Sequence, residues 1–155
     1  MQVDIVRFPA TWVAVIEHRG APDLEHATVQ KLIAWKIEHR LLDQALHRSY
    51  GLHYTDPHSI APAEHRVDFC LSIEESVASN VYGIREGMIP MLRCARARDI
   101  GSRSNNQAAA YLYNVWLPQS GEAASEFPMI FHYVNVGPDV KEQEMITDVY
   151  LPLRQ

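Results

Sequence analysis

Two stretches of this chain repeat the same pattern about 80 residues apart. Asp68-Phe69-Cys70-Leu71-Ser72-Ile73 is echoed by Asp148-Val149-Tyr150-Leu151-Pro152-Leu153, an acidic residue leading an alternating apolar run in each case. Upstream of each lies a strand-like run, residues 13–20 and 91–98, followed by a helix-like stretch that holds a tryptophan, Trp35 or Trp116. These echoes predict two copies of a strand, helix, strand, strand unit, with pseudo-repeats at about 1–74 and 81–155.

The duplication predicts an α+β fold in which the two units form an antiparallel sheet with two helices on one face. With 155 residues, 47% of them apolar, the chain suits a single domain, residues 1–155, that contains both copies. A cleft is expected between the copies, because small-molecule pockets form preferentially where packed units meet.

Local patterns place the elements within each copy. Alternating apolar and β-branched residues predict strands at 2–7, 11–18, 47–54, 66–73, 88–97, 129–134 and 145–153. Apolar residues three and four positions apart predict a helix from Leu24 to Leu41, capped by Asp23. Ser104 or Asn105 is expected to cap a second helix, and Pro118 is expected to end it.

The charge of the chain argues against nonspecific binding to nucleic acid. The formal net charge is −5, whereas such proteins normally carry a basic face. Four arginines, Arg93, Arg96, Arg98 and Arg103, are interpreted as solvated surface charge. The chain has neither a signal-peptide pattern at Met1 nor an apolar run long enough to span a bilayer, so we expect a cytoplasmic location without membrane association.

The residues that usually carry catalysis or bind metals do not form a familiar pattern here. Cys70 and Cys94 lie in apolar strand-like runs and are expected to be buried thiols. His53, His58 and His65 fall close together without a repeated ligand spacing, so we predict no metal site. The chain also lacks a Gly-x-Ser-x-Gly elbow, a phosphate-binding glycine loop and a Gly-x-Gly-x-x-Gly turn, so we predict no cofactor and no catalytic residue. The acids that begin the repeated runs, at positions 68 and 148, are interpreted as hydrogen-bond acceptors for turns at strand ends, with a functional role left open.

Aromatic residues concentrate on the predicted strands and on the second helix. Most aromatic side chains serve the core, but ring faces also stack on flat ligands and attract cations. We therefore take six residues as candidate ligand contacts lining the expected cleft: Phe131, Tyr133, Tyr150, Phe69, Tyr54 and Tyr111.

Four segments, taken with the duplicated plan, carry a family resemblance. They are Tyr54-Thr55-Asp56-Pro57, residues 62–68, residues 116–121 and Thr147-Asp148-Val149-Tyr150-Leu151-Pro152-Leu153. In order and spacing the chain resembles the GyrI-like small-molecule-binding domains of bacteria, also called the gyrase-inhibitor or AraC-type effector-binding family, over nearly its whole length.

The resemblance implies a stand-alone binding protein for aromatic or apolar ligands, cations included, held in the cleft between the copies. It implies no direct binding of nucleic acid. Two alternatives also follow from the family: an inhibitor that interacts with DNA gyrase, and a hydrolase of strained electrophiles.

One departure from the family bears on catalysis. Members commonly carry a glutamate two residues before the tyrosine of a Pro-x-x-Glu-x-Tyr strand, whereas this chain reads Pro128-Met129-Ile130-Phe131-His132-Tyr133. Phe131 can stack on a ring, but it lacks the carboxylate of a general base or an ion-pair partner. The resemblance therefore favours binding over catalysis, unless another acid such as Glu17, Asp68 or Glu126 reaches the site.

Overall fold

The computed structural model describes residues 1–56 and 59–155, which form two compact units. Unit 1 holds residues 1–10 and 90–155, and unit 2 holds residues 11–89. Each unit contains four antiparallel strands and one helical region. The predicted α+β class is confirmed.

The described elements follow one another in an order that repeats. They are β1 (Asp4–Phe8), β2 (Thr11–Arg19), α1 (Glu25–Glu38), β3 (Ser49–His53), β4 (Arg66–Ser72), β5 (Arg85–Ile89), β6 (Leu92–Ile100), α2 (Gln107–Tyr111), a π-helical segment (Leu112–Trp116), α3 (Leu117–Ser120), β7 (Met129–Tyr133) and β8 (Ile146–Pro152). Short 3-10 turns precede α1, β4, α2 and β8.

The first strand of each pseudo-repeat pairs with the second strand of the other: β1 pairs with β6, and β5 pairs with β2. The strand order is β1-β6-β8-β7 in unit 1 and β3-β4-β2-β5 in unit 2. The single strand predicted at 88–97 is wrong, because Pro90 separates β5 from β6 just as Pro9 separates β1 from β2. Unit 1 therefore contains β1 in place of the β5 of pseudo-repeat 81–155, and unit 2 contains β5 in place of the β1 of pseudo-repeat 1–74.

The repeat extends to individual hydrogen bonds. The Arg66 N–H donates to Thr55 Oγ1 at 3.0 Å, and 80 residues later the Ile146 N–H donates to Asn135 Oδ1 at 2.8 Å. The 3-10 turns Pro62–Glu64 and Glu142–Glu144 have the same spacing. Counterparts in the two units can therefore be compared residue by residue.

The first helix differs from its prediction at both ends. Asp23 lies inside a 3-10 turn, Pro22–Leu24, so it does not cap α1; Leu24 takes that position without a side-chain hydrogen bond. The helix ends at Glu38 rather than Leu41, because Arg40 adopts a left-handed φ of 57°. The Leu41 N–H then donates to Lys36 O at 2.9 Å, which closes the helix in a Schellman motif.

The second helical region also departs from its prediction. Asn106 is the cap, accepting a hydrogen bond from the Ala109 N–H, while Ser102 caps the preceding turn. Pro118 lies within α3 and does not end the region, which stops at Gly121 with a φ of 76°. A proline has no N–H to donate, and its ring crowds the carbonyl four residues earlier, which here belongs to Asn114. Asn114 lies inside the π-helical segment directly before α3.

The helical region of unit 1 packs on one face of its sheet. Its core consists of Ala95, Ala97, Ala108, Leu112, Val149, Leu151 and Leu153. Cys70 and Cys94 are free and buried as predicted, and burial raises the pKa of both thiols. None of the helices in the described ranges is long and apolar enough to cross a membrane.

Replacing Arg40 with glycine should stabilise the protein. Arg40 is exposed, and a residue with a Cβ in the left-handed region is strained by about 1 kcal/mol relative to glycine. Urea unfolding of Arg40→Gly should show a free energy of unfolding higher by about that amount. Arg40→Ala removes the same side chain but keeps the Cβ, so an equal gain in both variants would contradict the explanation.

Candidate functional site

Phe131 and Tyr133 lie on the helix-packed face of unit 1. In the β7–β8 register Phe131 pairs with Val149 and Tyr133 pairs with Thr147. Val149 belongs to the core beneath α2, and Phe131 packs against that core while remaining half-buried. Tyr111, also half-buried, is the last residue of α2. Three of the six candidate residues are therefore in the part of unit 1 formed by β7, β8 and its helical region.

A positively charged group, Arg103, lies beside Tyr133. It precedes α2, and its guanidinium carbon lies 5.2 Å from the centre of the Tyr133 ring. Its Nε donates to Thr147 Oγ1 at 3.1 Å, and its Nη2 donates to the backbone oxygens of Asn135 and Ile146 at 2.8 and 3.0 Å. Burial lowers the pKa of Arg103. The face that carries Phe131 thus also carries a half-buried positive group.

Tyr150 lies on the opposite face of the same sheet. Successive residues of a strand point to opposite sides, so Tyr150 is on the side away from Val149. Its ring meets Phe8 edge-to-face with centroids 5.1 Å apart. An open cavity of about 340 Å³ also occupies this face, lined by Gln2, Asp4, Arg96, Ala97, Arg98 and Asp148.

Three of the four clustered arginines, Arg93, Arg96 and Arg98, are partly exposed and paired with carboxylates. Arg98 makes two hydrogen bonds to Asp148, at 2.7 and 3.0 Å, and these bonds raise the pKa of Arg98. Arg93 makes a similar two-bond contact with Glu122, and Arg96 lies 3.4 Å from Asp4. The prediction of surface charge did not include these ion pairs, because the sequence did not reveal the carboxylates on neighbouring elements.

The two repeated aspartates are buried in ion pairs rather than at turns. Asp68 and Asp148 are each the third residue of a strand, with 2% and 7% of their surfaces exposed. Oδ2 of Asp68 lies 3.4 Å from Arg66 Nη2 and 3.6 Å from Arg85 Nη2. The expectation that they accept hydrogen bonds from turns is therefore wrong.

Unit 2 separates its two candidate residues onto opposite faces. Phe69 is buried on β4 and pairs with Gly51, the counterpart of Phe131. Tyr54 is 40% exposed and stacks under the Arg66 guanidinium, 3.9 Å from the ring centre. Burial, followed by the nearby Asp68 carboxylate, raises the pKa of Tyr54.

A histidine network holds α1 to the sheet of unit 2. Nε2 of His65 lies 2.6 Å from Glu25 Oε2, and its Nδ1 lies 2.9 Å from Thr55 Oγ1. Nδ1 of His18 lies 2.7 Å from Thr28 Oγ1. His65 is 1% exposed, which makes these contacts part of the interior.

This network does not resemble a metal centre. Residues 1–56 and 59–155 contain no group of three or more histidine, cysteine, aspartate or glutamate side chains arranged to hold a metal ion. His58, from the histidine triplet noted in the sequence, and Pro57, from one of the family segments, lie outside the described residues.

Sequence reasoning missed two residues that matter for the electrostatics of these faces. Arg103 was grouped with surface charge, although its position just before a helix and opposite a strand end could have suggested a structural role. His53 is the counterpart of Tyr133, and burial, followed by the charge on His65, lowers the pKa of His53 to about 3. It is therefore neutral at physiological pH.

Comparison with known proteins decides the family. Residues 1–154 match the GyrI-like small molecule binding domain. This chain belongs to the GyrI-like family. The resemblance inferred from the sequence motifs is confirmed, and small-molecule binding is the general function that the family description supports.

Relatives of this GyrI-like chain are described as regulators and ligand-binding proteins. It is 36% identical over 154 residues to a probable transcriptional regulator, YgiV, of Escherichia coli K12, covering 99% of this chain and 96% of YgiV. The fold matches the EcmrR C-terminal domain with a TM-score of 0.75 at 14% identity, covering 99% of this chain and 98% of that one.

Two further solved structures extend the comparison of this GyrI-like fold. In the EcmrR–DNA complex the match has a TM-score of 0.76 at 14% identity, covers 99% of this chain and spans only 57% of the EcmrR chain. SAV2435 bound to tetraphenylphosphonium matches with a TM-score of 0.63 at 9% identity, over 99% of this chain and 94% of SAV2435. At these identities the two likenesses show the fold alone.

Removing Arg98 should destabilise the GyrI-like domain. Arg98→Met leaves the carboxylate of Asp148, whose side chain is only 9% exposed, without its partner. We expect the free energy of unfolding to fall by about 2 kcal/mol in urea. Arg19→Met breaks an exposed pair with Glu17 and should change it by less than about 0.5 kcal/mol. Equal losses in the two variants would show that burial of Asp148 does not govern the effect.

The pKa of His53 predicts loss of stability in acid. The unfolded chain binds a proton on this histidine below about pH 6.5, whereas the folded protein binds it only near pH 3. Stability from this group is therefore complete above pH 6.5 and falls between pH 6.5 and 3, by at most about 1.4 kcal/mol per pH unit.

Replacing the histidine isolates its share of that pH dependence. His53→Gln should reduce the slope of unfolding free energy against pH in this window, as measured by urea unfolding at a series of pH values. His26→Gln removes an exposed histidine and is the matched control for the substitution itself. An unchanged slope in His53→Gln would contradict the depressed pKa.

Proposed function

We propose that this chain is a binding protein for small aromatic or apolar molecules, charged ones among them. The observation that carries the proposal is the half-buried pair Phe131 and Tyr133 on the helix-packed face of β7, in a chain whose family is named for small-molecule binding. Half-buried rings supply large contact areas with little loss of side-chain entropy when a flat ligand stacks on them.

The six candidate residues differ in how well their positions support direct contact. Phe131, Tyr133 and Tyr111 are half-buried in unit 1 and accessible in part, so they come first. Phe69 is buried and would act by shaping the surface beneath a ligand. Tyr150 points away from the face that carries Phe131, and Tyr54 points away from the face that carries Phe69. Each would contact a ligand only on its own face.

We infer that any role in regulation depends on ligand binding rather than on direct contact with DNA. Three of the four clustered arginines, Arg93, Arg96 and Arg98, have carboxylate partners, and the net charge is −5. Phosphate contacts normally require unpaired basic side chains on one face. The description of YgiV as a probable transcriptional regulator is compatible with a ligand-sensing role.

Ligand titration of single variants tests the proposal. Tetraphenylphosphonium, which is bound in the SAV2435 structure, and uncharged aromatic dyes are suitable probes. Binding should raise the melting temperature, because a ligand that binds only the folded state stabilises it. Phe131→Ala and Tyr133→Ala should weaken the probe that binds tightest by roughly tenfold each, the effect of losing one stacked ring.

The matched control lies on the other face of the same sheet. Tyr150→Ala removes a similar ring from β8 and should leave affinity within about twofold of the wild type. If Tyr150→Ala weakens binding while Phe131→Ala and Tyr133→Ala do not, the ligand occupies the opposite face. If no probe in a broad panel binds, the proposed function is wrong.

A further inference from the structure

Arg103 carries a positive charge that its neighbours do not neutralise. Its hydrogen bonds go to a hydroxyl, a side-chain amide and two backbone carbonyls, all of them uncharged. Within the described part of the chain no carboxylate lies within 4 Å of its guanidinium. By contrast Arg93, Arg96 and Arg98 each meet an acidic side chain, so Arg103 differs from the three arginines that lie nearest to it in the sequence.

One nitrogen of this guanidinium is available to a ligand. Nε and Nη2 make all the hydrogen bonds that Arg103 forms with described residues, and Nη1 makes none of them. Among the described residues, the buried side-chain nitrogens and oxygens without a hydrogen-bond partner do not include Nη1. Since Nη1 makes no hydrogen bond to these residues, it is at least partly exposed to solvent. The other contacts of Arg103 hold the guanidinium in place, which lowers the entropy lost when a ligand binds.

The aromatic residues beside Arg103 contribute no negative charge. Phe131 is apolar, and Tyr133 presents one ring face toward the guanidinium. Asp99 is a buried acid on the neighbouring strand, opposite Thr147, and it accepts a hydrogen bond from the Gln107 N–H at the start of α2. A carboxylate at that position is stabilised by the helix N-terminus.

We propose that unit 1 binds aromatic anions in preference to aromatic cations, with Arg103 Nη1 donating to the anionic group while Phe131 and Tyr133 contact the ring. This inference rests on the proposed function and adds the charge class of the ligand. An anion gains a charge-assisted hydrogen bond and an attraction that is weakly screened at a half-buried site. A cation of the same shape meets the same rings but is repelled by the guanidinium.

Two probes of the same shape and opposite charge provide the test. Tetraphenylborate and tetraphenylphosphonium each carry four phenyl rings around one central atom and differ in the sign of their charge. Tetraphenylborate has no lone pair to accept a hydrogen bond, so this pair of probes tests the charge preference alone. Calorimetric titration in sodium buffers, free of potassium because potassium tetraphenylborate precipitates, should give a Kd at least about tenfold lower for the borate, because the guanidinium attracts the anion and repels the cation. Equal affinity, or tighter binding of the phosphonium, overturns the inference and leaves the proposed function intact.

Arg103→Gln and Arg7→Gln change the net charge by the same amount and show which arginine causes the preference. Arg103→Gln should remove most of the preference for the borate, whereas Arg103→Lys should keep part of it. Arg7→Gln changes the net charge equally at an exposed position of unit 1 and should keep the full preference. A preference that persists in Arg103→Gln, or that is lost in Arg7→Gln, assigns it to another part of the protein and overturns the inference.

The salt dependence of binding can be measured on the wild-type protein, so this test does not require any variant to fold. Raising sodium chloride should weaken borate binding and leave phosphonium binding unchanged or stronger, because salt screens both the attraction and the repulsion. The opposite salt dependence contradicts the role of Arg103. If neither probe binds while an uncharged aromatic dye does, this inference fails and the proposed function stands.

Discussion

The pairing of β8 with β6 and β7 determines where the candidate residues on the strands of unit 1 point. Val149 is buried beneath α2, so its register partner Phe131 must share that face, while Tyr150 must point the other way. A one-residue shift of β8 would exchange the two sets of side chains. The ion pair of the buried Asp148 with Arg98, which are direct partners in this register, opposes such a shift.

The two faces of unit 1 consequently have different electrostatics. The face opposite the helices carries paired charges, Asp148 with Arg98 and Asp4 with Arg96, around an open polar cavity. The helix-packed face carries the rings of Phe131 and Tyr133 together with Arg103, whose described partners are all uncharged. The corresponding face of unit 2 carries His53, which is neutral because its pKa is about 3. Ligand recognition by ring stacking therefore fits the helix-packed face of unit 1 better than its polar face.

Sequence patterns predicted the class of the fold and most strands, because alternation and the 80-residue repeat report directly on side-chain burial. They failed where a contact from a distant segment decides the outcome. Pro90 divides a continuous apolar run because β5 and β6 join different units, and Arg40 ends α1 by adopting a conformation that glycine normally provides. For the site, the aromatic positions were identifiable, but the faces of Tyr150 and Tyr54 and the uncompensated charge of Arg103 depend on strand register and tertiary contacts.

The central claim is that an aromatic ligand binds against Phe131 and Tyr133 on the helix-packed face of unit 1. A crystal structure of the protein with a tightly bound aromatic ligand tests it most directly. The account predicts ring atoms of the ligand within about 4 Å of Phe131 or Tyr133, the distance of apolar contact. A ligand located instead on the face of Tyr150 and the polar cavity, with no contact to either residue, would contradict it.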